Sequence, residues 1–437
     1  MTNAAVTLER DIERSPAAEN PVEKLAEQLQ RLPSEIRWLV ASMQGAVQAR
    51  GEGSEPIYGP FERRGRKMLA LAGAFGLQRA CCFTVNFLLL AHVFTRQNRV
   101  RSVSAPEGAL FIGIHAVRET ELLHQFAGLQ PRPVVHIDER ELTDFFRYGR
   151  VPLRKLLREM RDVWREFDAQ FRRARLPQEI SALDVLTTLA LRGHRFAYLR
   201  AWFRQYLERR GAARLLACTA ASHVAFAAIA AGAEVVYLLH GLQRRSIVYP
   251  DFSRALCFTG IEAAHLRRRL PKCAVSIKTD TPRPLESRRV AAVAGIFWKT
   301  DEFDRVRPFI QWALDNDLPV VVRKHPFDDS DYWAQWAGVS GVQIDEGQGS
   351  FEQFLASVKP RIVATWYSTV LFDALAVGII PVTVCPDSRE FLDIVYPIRA
   401  LALCWPRDAG RARVLIDDEK CRADFVSGGY RAAMGEA

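Results

Sequence analysis

The regular alternation of short apolar runs with helical stretches limits the fold of this sequence more than any other feature, and the alternation occurs twice. Apolar runs suited to buried strands lie at 109–115, 133–138, 214–219, 234–239 and 255–259, and again at 290–298, 319–323, 362–365 and 380–384. Helical patterns separate them, including a long Arg-rich region at 139–210 that we expect to break near Pro177 and Gly193. Strands that alternate with helices predict parallel sheets with helices on both faces.

A Pro-rich, charged stretch from Asp280 to Arg288 separates the two series of strands and is typical of an interdomain linker. The 437 residues are too many for one ordinary core and suit two domains. The sequence therefore predicts an α/β fold with two Rossmann-like domains. The expected boundaries are a helical, mobile N-terminal extension at 1–56, an N-terminal domain at 57–282, a C-terminal domain at 283–425 and a tail at 426–437.

The chain is basic, with 60 Lys and Arg against 50 Asp and Glu. A net charge of +10 suits phosphates, anionic lipid head groups or acidic glycans. No recognisable nucleic-acid module surrounds the basic clusters, so we expect no nucleic-acid partner. The eight Cys are scattered without zinc-type spacing, which predicts a reduced, cytoplasmic chain without a metal site. Residues 1–20 lack a signal-peptide pattern.

The most apolar stretch runs from Met68 to Phe94 and is interrupted by Gln78, Arg79, Asn86 and His92. Basic residues flank both of its ends. Two interpretations stay open: buried helices of the N-terminal domain, or a monotopic segment through 63–101 that lies on the anionic inner face of a membrane.

In parallel sheets, ligands bind beyond the carboxyl ends of the strands. The apolar run from Val320 to Val322 is followed, at its carboxyl end, by three cationic or titratable side chains and a Pro. These are Arg323, Lys324, His325 and Pro326. Such a set suits a phosphate or diphosphate, and His can donate to a leaving phosphate oxygen. The alternative is a surface turn with a capping His.

A second candidate follows the run at 362–365. A predicted helix begins there at Ser368 and Thr369 and ends at Gly378. Hydroxyls and free N–H groups at a helix N-terminus make an anion site, although Ser and Thr also serve as simple N-caps.

A third candidate is His240, which follows the run 235–239 and precedes Gly241. It is placed to orient an acceptor or take its proton. Carboxylates that follow strands, namely Glu119, Glu121 and Asp138, are alternative bases, although such acids often only begin helices. The sequence has no phosphate loop, dinucleotide fingerprint or nucleophile elbow, and we expect side chains rather than a metal or a separate cofactor to neutralise phosphate charge.

Residues 213–385 resemble the bacterial surface-polysaccharide transferases of the GT-B class in the order of their short motifs. These motifs are His240-Gly241, then Lys324-His325-Pro326, then Ser368-Thr369 followed by Asp373 and Gly378-x-x-Pro381. The transferases of this class include capsule sialyl- and polysialyltransferases, Kdo transferases and CDP-glycerol glycerophosphotransferases. The resemblance implies two Rossmann-like domains that face a cleft, with an acceptor domain followed by a donor domain.

By this resemblance His325, Pro326, Ser368 and Thr369 would hold CMP, and Asp373 would lie near the ribose. It implies transfer of Kdo or sialic acid from a CMP-activated donor to a surface glycan or glycolipid. The sequence departs from the sialyltransferase pattern, because its acidic triplet Asp345-Glu346-Gly347 follows His-Pro instead of preceding it. Either another carboxylate is the base, or the donor is not a sialic acid. The alternatives are polyol-phosphate transfer from CDP-glycerol with His240 as base, and a non-catalytic module in polysaccharide assembly.

Overall fold

The structure of the chain is a computed structural model. It describes residues 20–43, 47, 49, 59–104, 110–113, 134–137, 142–211, 213–217, 222–239, 243–277, 294–298, 306–325, 328, 330–347, 349, 351–366, 368–384, 395 and 401–435.

Among the described residues, the first sheet has six parallel strands in the order β2-β1-β3-β4-β5-β6. These are β1 (Leu110–Gly113), β2 (Val134–Ile137), β3 (Arg214–Ala217), β4 (Glu234–Leu238), β5 (Arg254–Cys257) and β6 (Ala274–Ile277). Central strands such as β3 and β4 are buried along almost their whole length, as expected when helices cover both faces of a parallel sheet.

The helices that accompany this sheet precede and connect its strands. They are α1 (Pro21–Gln30), α2 (Ser34–Ala41), α3 (Pro60–Ala74), α4 (Gln78–Arg99), α5 (Thr143–Tyr148), α6 (Leu153–Phe171), α7 (Ala182–Arg210), α8 (His223–Ala230) and α9 (Gly260–Arg269).

The predicted N-terminal extension is helical in its described part, which confirms that element of the fold prediction. Asn20 caps α1 by accepting hydrogen bonds from the N–H groups of Val22 and Glu23. In α2, the Trp38 ring stacks on Phe196 with 4.3 Å between ring centroids. Residues 20–43 therefore pack against the core of the first sheet.

The predicted helix break at Gly193 is wrong, because α7 runs without interruption from Ala182 to Arg210. Gly193 is buried where α4 crosses α7, and a Cβ at this position would lie 2.7 Å from Oδ1 of Asn86. The glycine permits a close helix crossing rather than ending a helix. The predicted break near Pro177 is confirmed, since this residue lies between α6 and α7.

The second sheet, in the part of the chain that the structure describes, also has six parallel strands, in the order β12-β11-β10-β7-β8-β9. They are β7 (Ala294–Trp298), β8 (Val320–Lys324), β9 (Val342–Asp345), β10 (Ile362–Thr365), β11 (Ile380–Thr383) and β12 (Leu403–Cys404). The chain thus has the two parallel α/β sheets that the sequence predicts.

The helices of the C-terminal half are α10 (Arg307–Asp315), α11 (Phe351–Val358), α12 (Val370–Ala376), α13 (Ala409–Asp417) and α14 (Glu419–Met434), with a 3₁₀ helix at Asp331–Trp336. Helix α14 packs on α12 and also contacts α9 of the N-terminal half. It spans the predicted boundary between residues 425 and 426 without interruption. The last helix therefore connects the two halves of the chain.

Helices α3 and α4 form an antiparallel hairpin that packs on α7. One face is buried through Leu69, Cys82 and Leu90. The other exposes apolar side chains, including Leu71 (66% exposed) and Phe75 (70% exposed). Among the described helices, none combines the length and the apolar character needed to cross a membrane.

Candidate functional site

The topology of the second sheet places a crevice at the carboxyl ends of β7 and β10. From β7 the chain moves outward to β8 and β9, and then it crosses to β10 on the other side of β7. In open α/β sheets, ligands bind at such a switch point. The residues that follow β8 and β10 therefore border the expected ligand site.

Lys324 and His325 lie at the carboxyl end of β8 and follow its buried residues Val320–Val322. Both side chains are half-buried, and Nζ of Lys324 donates to Oε2 of exposed Glu346 at 2.9 Å. The carbonyl of His325 accepts the N–H of Asp328 at 2.8 Å, which closes a turn after the strand. The carboxylate of Asp328 in turn accepts from Nε1 of Trp333 at 2.7 Å. These contacts fix the direction of the chain at this point.

Arg323 precedes Lys324 and His325 in the chain and is more deeply buried than either, with only 3% of the residue exposed. Its guanidinium donates to Oδ2 of Asp345 at 3.0 Å and to the carbonyl of Gly349, and lies 5.2 Å from the Phe354 ring centroid. Gly347 of the same loop adopts φ 78°, and a Cβ there would lie 2.5 Å from the Lys324 carbonyl oxygen. Arg323 therefore holds the 345–349 loop against the end of β8.

Ser368 and Thr369 follow β10 and are half-buried. Oγ of Ser368 accepts the N–H of Val370 at 3.3 Å, and the carbonyl of Thr369 accepts the N–H of Asp373 at 2.9 Å. The neighbouring segment is held by Thr383, which is fully buried at the end of β11 and donates to the carbonyl of Trp366. Sequence reasoning missed Thr383, although its position as the last residue of an apolar run was a usable signal.

The structure thus brings both groups of predicted donor-site residues to one edge of one sheet. Lys324 and His325 lie on one side of β7, and Ser368 and Thr369 on the other. Neighbouring strands are about 4.8 Å apart, so the ends of β8 and β10 are roughly 10 Å apart. That spacing suits a ligand that bridges the two sets of side chains.

The predicted acceptor-side residues Glu119, Glu121, Asp138 and His240 lie outside the described residues, as does Pro326. The first sheet has its own switch point, between β1 and β3. The segments that follow these two strands, at 114–133 and 218–221, also lie outside the described part of the chain.

Glu262 is a further acid at the carboxyl edge of the first sheet, one that sequence reasoning missed. It lies in the first turn of α9 and forms a capping box with Thr259, in which Oε2 accepts from the N–H groups of Phe258 (2.9 Å) and Thr259 (3.0 Å). The residue is fully buried, and Oε1 has no hydrogen-bond partner among the described residues.

The pKa of Glu262 is raised to about 8, mainly because the carboxyl is buried. The capping hydrogen bonds act against this rise, and the negative charge of Asp373 in α12 contributes to it. The Thr-x-x-Glu pattern was visible in the sequence at 259–262. The approach of Glu262 to a carboxylate more than a hundred positions away in the chain was not. Within the described ranges, no group of three or more His, Cys, Asp or Glu residues is placed to hold a metal ion.

No family model and no curated protein matches this sequence. Among solved structures, the chain is similar to UDP-GlcNAc 2-epimerase from Neisseria meningitidis bound to UDP-GlcNAc, with 11% identity, 74% of this chain and 97% of that chain covered, and a TM-score of 0.44. It is also similar to Acinetobacter baumannii MurG (11% identity, 75% and 96% covered, TM-score 0.41) and to S. aureus MnaA with UDP (13% identity, 74% and 92% covered, TM-score 0.39). At these identities and TM-scores, the likeness identifies neither a substrate nor an activity.

Proposed function

We propose that the chain is a metal-independent glycosyltransferase of the GT-B class that uses a nucleotide-activated sugar, with CMP-linked Kdo or sialic acid as the first choice of donor. The observation that supports this most directly is the placement of Lys324, His325, Ser368 and Thr369 around the switch point of the second sheet. Cations and hydroxyls at this edge are the groups that a nucleotide phosphate requires.

In the proposed reaction, an acceptor hydroxyl attacks the anomeric carbon while the bond from that carbon to the phosphate oxygen breaks. CMP leaves with the bonding electrons, and the acceptor proton passes to a base. Lys324 and His325 would stabilise the charge that develops on the departing phosphate, with the hydroxyls of Ser368 and Thr369 as further donors. Stabilisation of developing charge is often the largest contribution to catalysis.

We assign Arg323 a positioning role in this site, because its guanidinium is occupied by Asp345 and by the 345–349 loop. Asp373 is proposed to lie near the nucleotide ribose. The base would come from the N-terminal half, with His240, Glu119, Glu121 and Asp138 as the candidates. The acceptor would be a glycan or glycolipid of a bacterial capsule or another surface polysaccharide.

The donor is tested by offering CMP-Kdo, CMP-sialic acid and CDP-glycerol separately and measuring CMP release in the presence of a polysaccharide extract. The first choice of donor is supported if CMP is released from one of the two CMP-sugars and if the variant His325→Ala no longer releases it. Release from CDP-glycerol alone would replace it with polyol-phosphate transfer and make His240 the base to test. No release from any donor would favour the non-catalytic alternative.

We propose that the protein works at the cytoplasmic face of an anionic membrane, which it contacts through the α3–α4 hairpin. Leu71, Phe75 and Leu77 expose their side chains at or near the turn of this hairpin. Exposed Arg63 and Lys67 lie 12 and 8 residues before Phe75, or about 18 and 12 Å along the helix. Apolar side chains at the turn, with basic side chains next to them, are typical of a segment that inserts below the head groups of anionic lipids.

Charge along the hairpin favours the same partner. Helix α4 contains no acidic residue over its 22 positions. The only acid of α3, Glu62, is paired with Arg192 at 3.3 Å. Asp184 and Asp168 of neighbouring helices pair with Arg66 and Arg79 of the hairpin. The exposed Arg63 and Lys67 are therefore the charges through which this surface would attract anionic lipid.

A further inference from the structure

A cavity of about 640 Å³ lies in the N-terminal half, away from the candidate donor site. Its walls come from the segment after α4, the turn after α5 and the end of α7. The basic residues in its lining are Arg101, Arg150, Arg209 and Arg210.

The position of the cavity relative to the first sheet follows from the segments that form it. Residues 101–104 lead toward β1, and Arg209 and Arg210 lead into β3. Trp202 and Tyr206 line the cavity and pack on Phe111 of β1, with ring centroids 5.3 and 5.0 Å away. The cavity therefore opens at the amino-terminal edge of the sheet, opposite to the edge that carries Glu262.

The charged residues that the structure describes in the lining of this cavity are all arginines. No acidic residue is among the described residues that line it. Two of its arginines make polar contacts that shape the wall: Arg150 donates to the carbonyl of Val100 at 2.9 Å, and Arg210 donates to Oγ of Ser104 at 3.1 Å. The lining suits a carboxylate or a phosphate, which guanidinium groups bind well.

Gln205 provides an independent polar feature. Only 4% of it is exposed, and its Nε2 donates to the carbonyl of Arg150 at 2.8 Å. Its Oε1 has no hydrogen-bond partner among the described residues, although buried acceptors are nearly always paired. An oxygen in this state requires a donor such as a hydroxyl or an amide N–H.

We propose that this cavity binds a saccharide that carries a carboxylate or phosphate group. The arginines would hold the anionic group, and a sugar hydroxyl or N-acetyl N–H would donate to Oε1 of Gln205. Trp202 and Tyr206 close the floor of the cavity and are themselves almost entirely buried, so recognition rests on the arginines and on Gln205. A fully ionised inorganic anion satisfies the arginines alone, because it has no hydrogen to offer Gln205.

The proposal rests on this cavity and not on the proposed transferase activity. In a transferase, a saccharide bound at the amino-terminal edge of the first sheet, away from the candidate donor site, would serve to retain a growing acidic glycan between turnovers. The two ideas are tested separately, since a variant of the cavity leaves Lys324 and His325 unchanged.

Binding is measured by calorimetry at 150 mM NaCl with three acidic probes: a hyaluronan tetrasaccharide, a sialic acid trimer and glucose 6-phosphate. Chitotetraose is the neutral control of matched length, and inorganic sulfate is the simple, fully ionised anion. The test variant is Arg101→Gln/Arg209→Gln, in which both changed residues are exposed. The matched control is Arg173→Gln/Arg175→Gln, which removes the same charge from two exposed arginines elsewhere.

We expect at least one acidic saccharide to bind tenfold or more tightly than chitotetraose and inorganic sulfate. Arg101→Gln/Arg209→Gln should weaken that binding at least tenfold, while Arg173→Gln/Arg175→Gln changes it less than twofold. Gln205→Leu should weaken the binding of the saccharide without changing the affinity for sulfate. The proposal is overturned if no acidic saccharide binds, if sulfate binds equally well, or if both arginine pairs weaken binding equally.

Discussion

Gly260 of α9 lies directly against the backbone of Met434 at the end of α14, so that a Cβ on Gly260 would be 1.9 Å from the Met434 carbonyl oxygen. Helix α9 follows a strand of the first sheet, whereas α14 buries Phe425 and Ala433 in the core of the second. The contact therefore joins the two halves of the chain, and only glycine leaves room for it.

Gly260→Ala should lower the free energy of unfolding by about 1–3 kcal/mol, because the added methyl group meets rigid backbone. Urea unfolding measures this. The matched control is Gly410→Ala in α13, where a Cβ has no atom within 4 Å, and which should be neutral or slightly stabilising. Equal effects of the two substitutions would show that the close approach is absent.

The stability of the protein should depend on pH through Glu262. Its pKa is about 8 in the folded protein, above the usual 4.5. The stabilising contribution of its protonated form is complete below pH 4.5 and is lost as the pH rises to 8, because the unfolded chain releases this proton first.

Glu262→Gln keeps the capping box, since glutamine also accepts at this position. The variant should match the wild type near pH 4.5 and become more stable than it toward pH 8, by at most about 1.4 kcal/mol per pH unit. Urea unfolding at four pH values gives the profile, and exposed Glu179→Gln is the control. Parallel profiles for Glu262→Gln and the wild type would mean that Glu262 is already ionised in the fold.

Arg323 and Lys324 are adjacent, yet their substitutions should differ in kind. Arg323→Met removes the donors to Asp345 and Gly349 and should cost about 1–3 kcal/mol of stability, with weaker CMP binding as a consequence of a displaced loop. Lys324→Met breaks only a pair with exposed Glu346, worth less than about 1 kcal/mol, and should weaken CMP binding alone. Urea unfolding and CMP titration separate the two. Loss of CMP affinity in Arg323→Met without loss of stability would instead mean that Arg323 contacts the nucleotide.

The hairpin should bind vesicles that contain anionic lipid. We expect cosedimentation with vesicles of 30% phosphatidylglycerol in phosphatidylcholine, reduced several-fold in Phe75→Ser/Leu77→Ser because apolar area is lost from the inserted tip. Val339→Ser/Val414→Ser, which also changes two exposed apolar residues, should bind as the wild type does. Equal binding by both double variants, or equal binding to pure phosphatidylcholine, would remove the hairpin as the contact.

The buried strands of both sheets could be predicted from the sequence because they are continuous apolar runs. Strands β10 and β11, for example, are buried at every position. The edge strands β6 and β9 could not be predicted in this way, because they are partly exposed and carry mixed side chains, so no apolar run marks them. Gly193 was misjudged for a related reason, because the partner that requires a glycine, Asn86, is distant in sequence.

The search for polar residues after apolar runs selected Lys324, His325, Ser368 and Thr369, which the structure places at one edge of the second sheet. The same method could not separate Arg323, which turns into the protein, from Lys324. It also missed Glu262, whose setting depends on Asp373, and the cavity around Gln205, whose walls come from three separate segments.

The most direct test of the donor site is the thermal stability of the protein with CMP, CDP, UDP, GDP and UMP. A nucleotide at a hundred times its dissociation constant should add about 2.7 kcal/mol to the free energy of unfolding. We predict that CMP stabilises the wild type and the exposed-residue control His92→Ala, and that His325→Ala loses this response. Stabilisation by a different nucleotide that also depends on His325 would keep the site and exclude a CMP-linked donor. An equal response in His325→Ala, or no response of the wild type to any nucleotide, would contradict the donor-site proposal.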